Sequence, residues 1–236
     1  RVHNAYKENF DFRYATDVCA CSRLAGDWLY GERIPRDRIQ ILPNAIDVEK
    51  YRFRPEIRDS LRQKMGLEDR VVVGSVGRYS YQKNQGFLVK TFAQARKKND
   101  KLFLLLIGGG ELKDELRKQI SDLELKEHVC CLNWQDNVED YFQAMDVFCL
   151  PSLFEGLSIT CIEAQAAGLK CLLADVISEE SGITDLVTFL PLEEQIWMEE
   201  IALTKMSEDR KQRGREIKEA GYDIRTAVKK LEKLYE

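Results

Sequence analysis

The chain has 236 residues, 44% hydrophobic and 32% charged, ordinary figures for a globular protein and enough for one large domain or a domain plus part of another. A net charge of −4 argues against a general nucleic-acid footprint, which calls for a strongly basic face, and no apolar run approaches the ~20 residues of a membrane span. Seven cysteines and two histidines show no zinc-ligand spacing, and this usage suits a reducing, cytoplasmic compartment.

Residues 16–21 read as a strand, 22–30 as a helix with Ser22 as N-cap, and 38–42 as a second strand. Cys19 and Cys21 alternate on the first strand and read as small buried hydrophobes. One strand–helix–strand piece cannot bury a core of its own. Residues 1–45 are therefore read as the last portion of an N-terminal domain with its linker, and Pro43-Asn44-Ala45-Ile46-Asp47 as the connector. A second domain is expected over 46–236.

From about residue 70 strands and helices alternate. Residues 71–76, 102–107, 128–132, 147–150 and 171–174 are short apolar runs. Between them, 84–98, 111–123, 138–144 and 158–167 have helical spacing, with Gly168 as a C-terminal cap. Apolar strands separated by helices predict an α/β fold, a parallel sheet covered on both faces. Such sheets bind ligands at the carboxyl ends of their strands. The tail is different: 193–203, 208–220 and 224–235 read as three helices without strands between them. Lys205, Arg210, Lys211, Arg213 and Arg215, interleaved with acids, read as a solvated helix face.

The chemistry lies in the loops that follow the strands. Glu155 stands just before Gly156-Leu157-Ser158, which reads as a helix start, and Glu163 lies eight residues later inside that helix. A helix start offers free N–H groups and positive potential to a phosphate. Carboxylates accept hydrogen bonds and so suit hydroxyl groups on the same ligand. A ligand with a phosphate centre and hydroxyl-rich ends is a sugar nucleotide. The loop after the first of these strands, from Gly77 to Asn84, adds Arg78, a planar fork for phosphate oxygens, and Lys83, a point charge. Gly108-Gly109-Gly110 permits close backbone approach to a ligand. It lacks the P-loop ending and the Gly-x-Gly-x-x-Gly spacing, so it supports neither ATPase nor NAD binding. Trp134, in the loop before Val138, is either a stacking surface for a base or a rim or core aromatic.

The runs VGRYSYQKNQ, LLLIGGGE and DVFCLPSLFEGLSITCIEAQAAGL, with PNAID before them, resemble the family-4 glycosyltransferases of GT-B architecture, and most of all those of bacterial capsule or exopolysaccharide synthesis. The resemblance covers roughly residues 14–200. It implies a Rossmann-like donor domain followed by C-terminal helices, and retaining transfer of a hexose or N-acetylhexosamine from a UDP-sugar to a saccharide or lipid-linked acceptor, without a metal. By motif position, Arg78 and Lys83 would bind the diphosphate and Glu163 the ribose. Glu155 with Gly156, Leu157 and Ser158 would face the sugar and its phosphate. Gly77, Gly108, Gly109, Gly110, Trp134 and Val138 would line the nucleotide. His3-Asn4 resembles the end of a histidine motif in the N-terminal domains of such enzymes. Lys170 departs from the family, which usually has proline there.

The resemblance further implies a chain that binds UDP but transfers sugar poorly, since most of the acceptor domain is missing. It also implies an apolar surface near residues 14–45 and the last helix, open to self-association, and peripheral contact with the inner face of the membrane through the missing domain. Two other readings stay open: a nucleotide-sugar epimerase on the same architecture, and a non-enzymatic flavodoxin-like binding module.

Overall fold

The computed structural model describes residues 14–207 and 209–235. They fall into two compact units: residues up to Asp47 together with those from Gly221 onward, and Val48–Ala220. The last helix therefore groups with the N-terminal piece, whereas the sequence reading assigned it to the second domain.

In the first unit β1 (Val18–Ala20) pairs in parallel with β2 (Ile39–Ile41). Between them runs α1 (Arg23–Tyr30), and the Ser22 hydroxyl accepts from Ala25 N at 3.1 Å, the predicted cap. Val18, Ala20, Tyr30 and Ile34 form a small core. The last helix (Ile224–Glu232) joins the unit through Ile46, whose N–H donates to Tyr222 O and whose carbonyl accepts from Ile224 N, both at 2.9 Å. The expected apolar surface is present: Leu24, Trp28 and Leu29 on α1 and Ile224, Val228 and Leu231 on the last helix are exposed.

The second unit opens with α2 (Val48–Tyr51) and α3 (Pro55–Met65), which ends at Gly66 in the left-handed region, φ +66°. Then follow β3 (Val71–Val76), α4 (Gln85–Arg96), β4 (Leu102–Ile107), α5 (Lys113–Asp122), β5 (Val129–Leu132), α6 (Val138–Ala144), β6 (Val147–Leu150), α7 (Ile159–Ala166), β7 (Lys170–Ala174) and β8 (Val187–Leu190), and the unit closes with α8 (Glu194–Ala202) and α9 (Gly214–Glu219). The six strands β3 to β8 make one sheet in the order β5-β4-β3-β6-β7-β8, parallel throughout. This is the doubly wound Rossmann order, with helices packed against the sheet. All of β3 and β6 is buried, as central strands of a parallel sheet covered on both faces should be.

The tail departs from its predicted pattern. Helix forms only from Gly214, and Arg210 is buried rather than solvated. Its guanidinium donates to the carbonyls of Phe142 and Gln143 at 3.0 Å, to that of Ala167 at 3.3 Å and to that of Met145, and it lies 4.7 Å from the Phe53 ring centroid. Burial, and then the like charge of Arg58, disfavour its charged form. The described residues just before Gly214 are not helical.

Arg210 belongs to a buried cluster. Arg58 donates to Asp146 Oδ1 at 2.6 Å and to the carbonyls of Gln143 and Met145. Arg62 donates to Asp146 Oδ2 at 3.2 Å and to Ala144 O at 2.8 Å. Three cations thus satisfy the carbonyls that α6 leaves open at its C-terminus, where the helix dipole is negative. Asp146 is the carboxylate that compensates them. Replacing Asp146 with alanine strands buried guanidinium charge and should cost about 3–5 kcal/mol in urea unfolding; a loss below about 1 kcal/mol would contradict this account.

Candidate functional site

β3 and β6 lie side by side, and the chain leaves them in opposite directions, toward β4 and β5 on one side and β7 and β8 on the other. The crevice outside the carboxyl ends of the strands at such a reversal is the usual ligand position. The loops leaving β3 and β6 carry Lys83 and Glu155.

The structure brings those two residues together. Lys83 Nζ is 2.7 Å from Glu155 Oε2, and the side chains are only 17% and 14% exposed. The loops are also joined through their backbones. Leu153 N donates to Gln82 O at 2.8 Å, Gln82 Nε2 to Phe154 O at 2.9 Å, and Asn84 Nδ2 to Pro151 O at 3.1 Å. Asn84 reaches this position with φ +55°, which asparagine tolerates better than most residues. Gly77 turns the chain at φ +154°, and the Lys83 stem passes over it.

Arg78 points elsewhere. Its Nε is 3.0 Å from Glu111 Oε2 in an exposed pair. The Glu111 carboxyl is held below its ordinary range first by its own backbone N–H and then by Arg78. Solvent screens such a pair, so little energy opposes its exchange for a ligand phosphate.

The glycine loop has a different reason for its composition than the one read from sequence. A Cβ on Gly108 would stand 2.0 Å from Gly77 O, and one on Gly110 2.3 Å from Tyr79 O. Tyr79 N also donates to Gly109 O at 3.0 Å. Two of the three glycines are thus demanded by the neighbouring loop of the protein itself. Gly109 backs onto Trp134, whose Nε1 would be 3.3 Å from its Cβ. Trp134 is 61% exposed, so it is not a core aromatic, and Val138, which begins α6, is half-buried.

Ser158 is the N-cap of α7, and the first intrahelical bond runs from Ile162 N to Ser158 O. The N–H groups of Ile159, Thr160 and Cys161 therefore have no partner four residues back. The Ser158 hydroxyl leaves them uncapped, lying 3.1 Å from Thr160 Oγ1 instead. A Cβ on Gly156 would meet nothing within 4 Å, so this side of the loop is open, and Leu157 is half-buried.

Glu163 sits about 6 Å along α7 from its first residue, on the side facing α2 and α6. Tyr51 donates to its Oε1 at 2.6 Å. Desolvation raises its pKa first of all, the Tyr51 hydrogen bond and Lys50 oppose the rise, and Glu139 adds to it. No hydrogen bond among the described residues joins Glu163 or Arg78 to the Lys83–Glu155 pair. Tyr51 is the site residue that the sequence reading missed; it lies four residues past the PNAID run, with no motif of its own. His3 lies outside the described residues.

The model of the glycosyl transferases group 1 family matches residues 57–221. The chain belongs to the group 1 glycosyl transferases. It is 36% identical over 194 residues to EpsF of Bacillus subtilis, assigned as a glycosyltransferase, a match covering 80% of this chain and 50% of that protein. It is 34% identical over 146 residues to the Escherichia coli UDP-Gal:alpha-D-GlcNAc-diphosphoundecaprenol alpha-1,3-galactosyltransferase, covering 59% of this chain and 37% of the other. The chain thus spans about half or less of these relatives. In fold it is similar to Anabaena HepE, solved with UDP and glucose, at a TM-score of 0.80 and 21% identity over 99% of this chain and 65% of that one. The solved neighbours are glycosyltransferases of the GT-B fold that the resemblance implies.

Two outcomes follow from the geometry. Gly108→Ala combines an unfavourable φ of +148° with a backbone clash and should lower stability by about 2–4 kcal/mol in urea unfolding; unchanged stability would mean the two loops separate readily. For Glu163 the raised folded pKa means that stability is fully present below the unfolded value and lost as pH rises through the folded one. Glu163→Gln keeps an acceptor for Tyr51 and removes the charge. Its melting temperature should exceed the parent's at about pH 8, and the gap should close toward about pH 4; a gap independent of pH would disprove the assignment.

Proposed function

We propose that this group 1 glycosyl transferase chain is the donor-binding part of an enzyme that moves a hexose or N-acetylhexosamine from a UDP-sugar, with retention, to a saccharide or lipid-linked acceptor. The observation that carries this reading is the meeting of Lys83 and Glu155 across the crevice where the sheet reverses direction.

In this reading the diphosphate takes Lys83 from Glu155 and Arg78 from Glu111, and adds the open N–H groups at the start of α7. Glu155, released from Lys83, and the backbone of Gly156–Ser158 face the donor sugar. Glu163 accepts hydrogen bonds from the ribose hydroxyls. Trp134 stacks on the base, with Gly77, Gly108, Gly109, Gly110 and Val138 forming the wall around the nucleotide. The leaving UDP is stabilised by lysine, arginine and the helix dipole, which do the work that a divalent cation does elsewhere, and no metal takes part. The UDP and glucose bound by HepE and the diphosphoundecaprenol acceptor of the Escherichia coli relative support this choice of donor and acceptor class. The family match favours sugar transfer over the epimerase reading. No described helix is long and apolar enough to cross a membrane; a lipid-linked acceptor would place the protein at the inner face of the membrane, working from the cytoplasm. The exposed apolar groups of α1 and the last helix are the surface for self-association.

Calorimetry with UDP tests the reading. Removing one charge-assisted contact to the diphosphate, Lys83→Ala, should weaken UDP binding by about 10–100-fold, and Glu163→Ala should weaken it while leaving inorganic pyrophosphate unaffected. Equal affinity of the parent for UDP and unrelated anions would instead support a non-enzymatic binding module.

A further inference from the structure

Taking Glu163 as the carboxylate that holds the ribose, the geometry points to Tyr51 as the residue that positions it and thereby sets a preference for ribose over deoxyribose nucleotides. The hydroxyl of Tyr51 donates to Oε1 of Glu163 at 2.6 Å. Among the described residues it is the one donor that reaches this carboxylate, and Oε2, which takes no hydrogen bond from them, is not fully buried and keeps some access to solvent. One oxygen is therefore occupied by the protein and the other offered outward. A carboxylate oxygen accepts two hydrogen bonds, which suits the adjacent hydroxyls of a ribose.

Tyr51 is itself firmly placed. It is buried at the end of α2, its ring centroid is 6.0 Å from that of Phe142 on α6, and Phe142 lies 5.8 Å from Phe148 on β6. The phenol oxygen is thus located by the aromatic core. The neighbouring charges do not substitute for it: Lys50 is engaged at 3.2 Å with Glu139, whose own carboxylate adds only repulsion at Glu163. Without Tyr51 the glutamate side chain would regain rotamer freedom, and that entropy would have to be lost again on binding. A site built to accept from a hydroxyl rejects the analogue that lacks it, but only while its acceptor is held in place.

Calorimetry with UDP, 2′-deoxy-UDP and inorganic pyrophosphate on the parent, Tyr51→Phe, Glu163→Ala and the double variant tests this. The parent should favour UDP over 2′-deoxy-UDP by about tenfold. Tyr51→Phe, which keeps the ring and its packing, should reduce that ratio to below about threefold without changing pyrophosphate affinity. In the Glu163→Ala background the same substitution should have no further effect. A Tyr51→Phe protein that keeps the parent ratio, or that loses UDP and pyrophosphate binding in parallel, overturns the positioning role and leaves Glu163's role standing. A parent with no ribose preference, unaltered in Glu163→Ala, overturns the ribose reading and the role of Tyr51 together.

Discussion

The crevice depends on how β3 and β6 are held at the opposite edge of the sheet, and that is the work of Asp146. Its backbone N–H donates to Val72 O and its Oδ2 accepts from Val72 N, both at 2.7 Å. The carboxylate thus extends the ladder below the point where the strands begin to pair. The regular pairing of β3 with β6 covers only Val73–Val147 and Gly74–Phe148, against six pairs between β3 and β4. Pinned at the amino edge and unpaired above Gly74, the two strands can diverge toward their carboxyl ends. The loops that then face each other are those carrying Lys83 and Glu155.

The two edges of the sheet use charge differently. At the amino edge Arg58 and Arg62 surround one fully buried carboxylate, with Arg210 close by, and the remaining guanidinium donors take up the carbonyls at the end of α6. Burying so much charge carries a large desolvation cost, which the carboxylate and the carbonyls offset by taking up most of the guanidinium donors; Arg210 Nε is left without a partner among the described residues. The cluster is a fixed structural joint. At the carboxyl edge Lys83 and Glu155 form a single pair that water still reaches. Its partners can be exchanged for a ligand without leaving a charge stranded in the interior, which a binding site requires.

Much of this was legible in the sequence, for reasons that can be named. Strands such as Leu102–Ile107, apolar throughout, and Val71–Val76, apolar but for Gly74 and Ser75, read this way because both faces of a parallel sheet are covered, and each is followed by a glycine. The loop residues could be ordered along the chain, and parallel topology alone brings them to one edge. What stayed hidden depends on contacts distant in sequence. α3 carries Arg58 and Arg62 on its buried face, so its apolar stripe is interrupted where the helix is most buried. Val187–Leu190 is four residues at the edge of the sheet and only partly buried, too short a pattern to stand out. Arg210 sits in a run of charges that any composition argument assigns to solvent, and only the open carbonyls of α6 explain why it turns inward. The glycines of 108–110 read from sequence as a close approach to a ligand, whereas the backbone that approaches Gly108 and Gly110 in the fold is that of the loop after β3.

The two glutamates show how one residue type divides a site. Glu155 and Glu163 stand eight residues apart on one loop–helix segment, and each already has a partner. Glu155 has a cation, and Glu163 has a phenolic hydroxyl at 2.6 Å. The partner of Glu163 resembles what the proposed ligand brings to it, whereas at the other end it is the Glu155 carboxylate itself that resembles the ligand. The hydroxyl on Glu163 is of the same kind as those of a ribose, and it leaves one oxygen open to more of them. The carboxylate of Glu155 lies on Lys83, so under the proposed function an arriving diphosphate would compete with it directly. Under that proposal, binding at the ribose end adds to an arrangement the fold maintains, whereas binding at the phosphate end replaces one. The difference follows from what each side chain touches in the folded chain, and neither sequence spacing nor residue type alone contains it.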